Sequence, residues 1–446
     1  MLRFTLLMIM CLIYMIHTYN PNQFTAVLFP VVSVAVYLVV VLSMKKRART
    51  FTLVLFITGM VIHFINGNRG FNLFEGITQN LQILAILILA PLISIPLKHE
   101  GIIDTVVLNL TKNLNDERKS FYDVSALMLL LAPILNMGAI RIVHGFVGNI
   151  GIIPKTLSSA YYTGFTTTVL WSPFFASVGV VIHILDITYM SYIFVGVLFA
   201  LIQIVTAMLL LRPKAVVHKK IKNLEETNEV YKSTYKNTFI LIGFVLGLLL
   251  LLVRAEAILQ KPMLLLVSYI CILVPLVWIL VRNKWRIVKE EYSLYKNNLL
   301  HGYGLEITLF LSAGLFGNAI ANTPAVKVLG NLIEWSVQES LAVLFLFILL
   351  FVILMAMIGV HQIIAVPLIL MTLMESGVTY NPVTIAFMCV FSWMLSVSIS
   401  PLNALNIIIS QNARENGITV AYKWNGIYFL VITCIAFVYI YIINSF

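Results

Sequence analysis

The sequence is short of charge: 11% of its 446 residues are Asp, Glu, Lys or Arg, against 61% hydrophobic, whereas soluble domains carry about a quarter charged. That excludes an ordinary soluble domain. No polar stretch is long enough to fold separately, so the apolar segments are themselves the architecture. Cysteine is scarce as well. Cys11, Cys271, Cys389 and Cys434 stand singly inside apolar runs, which excludes a disulfide framework or a thiolate metal site. No metal and no cofactor is expected. The net charge of +11 comes from Lys and Arg in short clusters between apolar runs. This is the positive-inside pattern of a chain embedded in a lipid bilayer, and it argues against nucleic-acid binding.

What is present is a series of apolar runs of membrane-spanning length, at 2–19, 24–43, 51–66, 79–97, 161–185, 189–212, 238–254, 262–281, 304–321, 382–411 and 425–444. They give about eleven crossings. The first run has no small-residue cleavage site after it, and Asn20-Pro21-Asn22 turns the chain into a second span, so it is an extra helix rather than a signal peptide. The basic clusters are Lys45 to Arg49, Arg212 to Lys222, and Arg282 to Arg286 with Lys289. All three fall in the cytoplasm on one alternating path with the N-terminus inside and the C-terminus outside. A bacterial plasma membrane is the compatible location.

Two apolar stretches, 122–156 and 341–377, are too long for one span and carry polar centres, Asn136-Met137-Gly138 and Gly359-Val360-His361-Gln362. They are expected to be re-entrant helical hairpins, whose tips must be buried in protein or face a water-filled cavity to satisfy their backbone. The expected fold is an all-α polytopic membrane protein of about eleven transmembrane helices plus two hairpins. The segment order repeats: residues 1–23 form the extra helix, 24–212 a first repeat, 213–237 a cytoplasmic linker and 238–446 a second repeat. Each repeat has three spans, a hairpin, a long span with an interior Ser-Pro (161–185 and 382–411) and a closing span. An odd number of crossings per repeat inverts the second relative to the first.

Proline inside a helix removes a hydrogen bond and clashes with the preceding turn, at about 3 kcal/mol. Helix breaks are therefore expected at Ser172-Pro173 and Ser400-Pro401. The freed backbone dipoles there, with Thr168, Ser398, Asn403 and Asn406, would face a solute, unless the hydroxyls bond back to their own helix as in a packing kink. Arg141, just past the first hairpin tip, needs a counter-charge at membrane depth. An anionic substrate is one, a carboxylate from another element or a ring of carbonyls is another. His144, one helical step later, and His361, at the second tip, are candidates to carry a coupling proton. His63 and His183 read as structural. Substrate-binding candidates are thus Asn136, Gly138, Arg141, Thr168, Ser172, Pro173, Gly359, His361, Gln362, Ser398, Ser400, Pro401 and Asn403. The amphipathic segments Gly101 to Asn115 and Pro324 to Val337 are expected to lie along the interface as connecting arms.

The order of elements, with Trp171-Ser172-Pro173-Phe174 and Ser400-Pro401-Leu402-Asn403 at the broken helices, resembles the ion transporter superfamily, which includes divalent anion/sodium symporters and arsenite permeases. That resemblance covers about 24 to 444. It implies a homodimer, a scaffold and a transport domain moving as an elevator, and a substrate held between hairpin tips and broken helices. The family's Ser-Asn-Thr hairpin signature, which forms its sodium sites, is absent here apart from one Asn, the hairpin positions reading Asn136-Met137-Gly138 and Ile358-Gly359-Val360. That absence points to a proton-coupled carrier, an exchanger or a uniporter.

The expected function is a secondary active transporter of a small anion. A cation/proton antiporter is the alternative within transport, but it needs an interior acid, and Glu306, Glu339 and Glu375 fall at span ends. A membrane enzyme such as a lipid-linked glycan polymerase or ligase is the alternative of another class, and it needs acid/base groups gathered on one face. No catalytic residue stands out, so the chain is not read as an enzyme.

Overall fold

The computed structural model describes residues 2–44, 46–111, 116–148, 150–211, 213, 234–321, 323–376 and 378–445. Most of the expected linker, the basic residues beyond Leu211, and Lys45, Lys112 and Asn115 lie outside the described residues.

The described chain is helical throughout. In order it forms α1 (Leu2–Tyr19), α2 (Gln23–Val41), α3 (Lys46–Ile65), α4 (Leu81–Leu89), α5 (Ile95–His99), α6 (Ile102–Thr111), α7 (Glu117–Leu135) and α8 (Gly138–Val147). It continues with α9 (Pro154–Val169), α10 (Ala176–Ile184), α11 (Tyr189–Leu210), α12 (Thr234–Leu259), α13 (Met263–Arg282), α14 (Trp285–Gly302) and α15 (Gly304–Ala321). The last are α16 (Pro324–Glu339), α17 (Leu341–Met357), α18 (Gln362–Glu375), α19 (Pro382–Ile399), α20 (Ala404–Ala413) and α21 (Gly426–Asn444). Among the described residues, eight helical stretches are long and apolar enough to cross a membrane, α4 counting together with α5 and α19 with α20. The protein is a multi-pass helical membrane protein.

Local chemistry explains the boundaries. Asn22, Asp116, Thr188, Ser340 and Asn381 accept a hydrogen bond from a first-turn amide of α2, α7, α11, α17 and α19, as N-cap side chains do. Pro154, Pro324 and Pro382 open α9, α16 and α19, where a missing N–H costs nothing. Two expectations are corrected. α9 begins at Pro154, ahead of the expected 161, because its first turns are polar: Thr156, Ser158 and Ser159 are buried in protein, where hydropathy is a poor guide. Residues 285–302, expected as a connection, form α14, whose inner face repeats at Ile287, Glu291, Tyr295 and Leu299 while its other residues are mostly exposed.

The chain divides into two compact units, each drawing on both halves of the sequence. Unit 1 is Met1–Ile95, Ala255–Gln338 and Val366–Val378; unit 2 is Pro96–Arg254, Glu339–Ala365 and Thr379–Phe446. Inside unit 1, α15 packs along α2 and α3, and α13 along α1 and α4. Gly59 and Gly314 permit this: a Cβ on Gly59 would stand 3.2 Å from the Phe316 backbone, and one on Gly314 2.5 Å from the Gly76 carbonyl. The imidazole of His63 hydrogen-bonds the Glu75 carbonyl and the Asn68 amide, a structural role.

Inside unit 2 the two halves repeat their packing. α7 packs on α9 as α17 packs on α19, and α10 packs on α19 as α20 packs on α9. α9 and α19 touch one another. Both are buried along almost their whole length.

Candidate functional site

Every candidate residue of the sequence analysis falls in unit 2. In the first hairpin, α7 and α8 pack together, and α8 has ten residues, about 15 Å, half the hydrocarbon thickness. The tip turns at Asn136, which has φ 51° and a side chain that accepts from the Met137 amide at 2.8 Å. Asn tolerates this left-handed region better than most residues. Gly138, by contrast, simply opens α8, with helical backbone and no crowding atom nearer than 3.8 Å. The left-handed residue at the second tip is Gly359, φ +91°. The geometric counterpart of Gly359 is therefore Asn136 and not Gly138.

Arg141 is exposed on α8, and its guanidinium has no hydrogen bond or ion pair among the described residues. Ile140, Val143 and Val147 form the buried face of the same helix. His144 is half-buried, and its Nδ1 lies 3.0 Å from the Tyr161 hydroxyl of α9. At the base of the hairpin the buried Glu117 carboxylate accepts from the Ile153 amide at 2.8 Å, tying the start of α7 to the start of α9.

The first break runs from Val169 to Ala176, with Ser172 and Pro173 both buried. Its hydroxyls divide by role. Thr163, Thr167 and Thr168 donate back to carbonyls one turn earlier on α9. Ser172 Oγ accepts from the Phe174 amide. The carbonyls expected to be free are taken: Ser177 Oγ donates to Val169 O at 2.9 Å, Tyr192 Oη to Leu170 O at 2.9 Å and Tyr189 Oη to Trp171 O at 2.7 Å. The close approach of α11 that allows this uses Gly196, where a Cβ would sit 2.6 Å from Leu170 O. Leu170 O and Trp171 O are thus part of the packing of α11, and Val169 O is taken by α10, a correction to the expectation that they face a solute. On the far side, α10 starts at Ala176 with no side-chain cap, leaving its first amides and the positive end of its dipole at the break.

The second break, from Ile399 to Ala404, is tied to the end of α17 and the turn after it. From Val366 onward α18 falls in unit 1, so the second expected hairpin is not a packed pair like α7 and α8. Ser400 Oγ donates to Ala356 O at 2.8 Å, and Asn403 Nδ2 lies 3.4 Å from Gln362 Oε1. A Cβ on Gly359 would meet Leu402, next to Pro401, at 3.6 Å. Gly359, Gln362, Ser400, Pro401 and Asn403 therefore form one cluster. Ser398 donates to its own helix at Met394 O, and its carbonyl receives Asn406 Nδ2 at 3.4 Å. His361 Nδ1 accepts from the Ile363 amide at 3.2 Å, and its ring meets the Trp393 edge at 6.3 Å.

Sequence reasoning missed Tyr189 and Tyr192, which close the first break, and Asn425, which accepts from Ser159 Oγ at 2.7 Å and donates to Val420 O. Asn425 follows a π-helical turn, Thr419–Trp424, packed against α9, α19, α20 and α21. It also missed Tyr162 Oη, which like Gln362 Nε2 and Asn406 Oδ1 is among thirteen polar atoms buried without a hydrogen-bond partner in the described residues. Such atoms are rare in a settled interior. Polar residues on the otherwise buried α9 and α19 were the available signal.

No family model matches the sequence, and no curated protein matches it. Among solved structures the chain is similar to the Alcanivorax borkumensis YdaH transporter, whose crystal structure is described as revealing an unusual topology. The match has a TM-score of 0.53 at 16% identity and covers 82% of this chain and 88% of that one. What the two share is the fold. It extends over most of both chains, so it includes both units rather than one bundle of helices.

Proposed function

We propose that the protein is a secondary active transporter that carries a small anion across the membrane by alternating access. The observation that carries this reading is the reciprocal pair of broken helices, α9–α10 and α19–α20, buried together in unit 2. Interrupted helices are how inverted-repeat carriers present helix ends to a solute. The fold shared with the YdaH transporter supports it, as does the division into two interleaved units. In an elevator-type carrier, unit 1 would be the fixed scaffold and unit 2 the moving body. The resemblance to the ion transporter superfamily, with its homodimer, belongs to the same proposal.

In this reading the uncapped N-terminus of α10, the cluster around Ser400 and Asn403, and the unpartnered Tyr162, Gln362 and Asn406 atoms meet the solute. Arg141 supplies the positive charge. Few charged groups lie in unit 2 at the breaks, so His144 and His361 remain the candidates for proton coupling, with exchange as the other mode. The test is uptake by proteoliposomes of a panel of labelled small organic and inorganic anions. Arg141→Ala, at an exposed and unpaired side chain, should abolish uptake while leaving the melting temperature unchanged, and Ser400→Ala should lower uptake. Unchanged uptake in both variants would overturn the assignment.

A further inference from the structure

Unit 1, which holds none of the candidate residues above, contains an open pocket of ≈ 400 Å3. It lies between the second half of α13, the first half of α14, the start of α1 and the segment after α4, with Phe4, Leu92, Leu276, Ile279, Trp285 and Tyr292 on its walls. The walls are apolar apart from Glu291, and they are held in place rather than collapsed. Phe4 meets the rings of Tyr292 at 5.2 Å and Tyr295 at 5.9 Å edge-on, and Tyr295 Oη donates to Ile88 O at 2.6 Å. An apolar space of this size within a membrane protein fits a hydrocarbon chain.

The lip of the cavity is charged. Trp285 stands between Lys284 and Arg286, with Arg282 at the end of α13 and Lys289 one turn into α14, and all four basic side chains are exposed. The same stretch carries two acids, Glu290 and Glu291, so the bases are in excess. Exposed Trp and Tyr beside Lys and Arg are the composition of a headgroup-level belt. α14 lies against α1 and α13 with a polar outer face, as an interfacial helix does.

We propose that this cavity is a site for an anionic phospholipid, one acyl chain in the apolar space and the phosphate on Lys284, Arg286 and their neighbours. Charge complementarity chooses the occupant. A zwitterionic lipid leaves the basic excess uncompensated, and an uncharged apolar solute makes no use of it. The inference does not depend on the transport reading, because it concerns unit 1 alone.

The experiment is fluorescence quenching of the protein in phosphatidylcholine nanodiscs doped with acyl-brominated phosphatidylglycerol or, separately, acyl-brominated phosphatidylcholine. The Trp285 contribution is obtained by difference from Trp285→Phe. Brominated phosphatidylglycerol should quench Trp285 at a much lower mole fraction than brominated phosphatidylcholine. Each of Lys284→Gln and Arg286→Gln should lower that preference by roughly fivefold. Ile279→Phe, which fills the cavity, should reduce quenching by both lipids while the other tryptophans respond as before. Equal quenching by the two lipids would mean simple bilayer exposure of Trp285, and no quenching would mean a cavity closed to lipid or covered by another chain. Either result overturns the proposal. A variant that fails to fold is replaced by its partner: the charge variants and the cavity variant test the two ends of the lipid independently.

Discussion

At the scale of single residues, the first break shows how a helix can be interrupted without leaving its backbone unsatisfied. Tyr192 is fully buried and its hydroxyl is the partner of Leu170 O. Removing that hydroxyl leaves a buried carbonyl short of a donor, at about 1–3 kcal/mol. Tyr192→Phe is therefore expected to lower the melting temperature of the detergent-solubilised protein. If the carbonyl served the solute and not the fold, uptake would change and the melting temperature would not. The two hairpin glycines make a sharper contrast. Gly359 has φ +91°, where any Cβ is strained whatever the space, while Gly138 is helical with only Leu135 at 3.8 Å. Gly359→Ala should cost about 1–3 kcal/mol, and Gly138→Ala should be neutral or slightly stabilising because Ala is the better helix former. Thermal melts of the two variants side by side check this, and the reverse order would mean that the tip turns elsewhere.

At the scale of elements, the breaks were legible where Ser-Pro stands among further polar residues, and α9 and α19 end before it, at Val169 and Ile399, whereas Pro30, Pro133, Pro275 and Pro367 stay inside continuous helices. The turns at Asn136 and Gly359 were legible as polar centres in overlong apolar stretches, although which residue carries the positive φ was not. Asn136 and Gly138 are two positions apart, and only backbone geometry separates them. What fills the first break was invisible for another reason. Tyr189 and Tyr192 reach it from the next helix, and nothing in an apolar run containing tyrosine says where a hydroxyl will point. α14 was missed because its charges read as a loop and its inner stripe is only one residue wide per turn. Packing between elements also depends on residues that sequence pattern treats as neutral. Gly164 is the example: a Cβ there would stand 2.4 Å from Met128 Cβ and 2.5 Å from Ser125 O on α7. Gly164→Ala forces α7 and α9 apart, and overpacking of this kind costs about 1–3 kcal/mol or more. Reduced yield of folded protein in size-exclusion chromatography is the expected outcome. A normal profile would show that the α7–α9 contact is looser than the geometry states.

At the scale of the whole molecule, the interleaved units were not legible in the sequence, because each half of the chain contributes to both and the chain passes between them several times. That organisation has a mechanical consequence that separates two kinds of alternating access. If unit 2 moves as one body, tying its own helices together changes nothing; if access is gated by bending within unit 2, the same tie stops transport. A suitable pair is Asn381, at the start of α19, and Asn444, at the end of α21, since the Asn381 amide donates to Asn444 Oδ1 at 3.1 Å. Both lie at helix ends and are only half-buried, so a thiol reagent can reach them. In a chain whose native cysteines have been replaced, Asn381→Cys with Asn444→Cys is joined by a short thiol-specific linker and uptake is measured before and after. Elevator motion predicts the same rate in both, with the single-cysteine chains as controls for modification alone. Loss of uptake that requires both cysteines would place the moving joint inside unit 2, between α19 and α21, and would replace rigid-body travel with local gating.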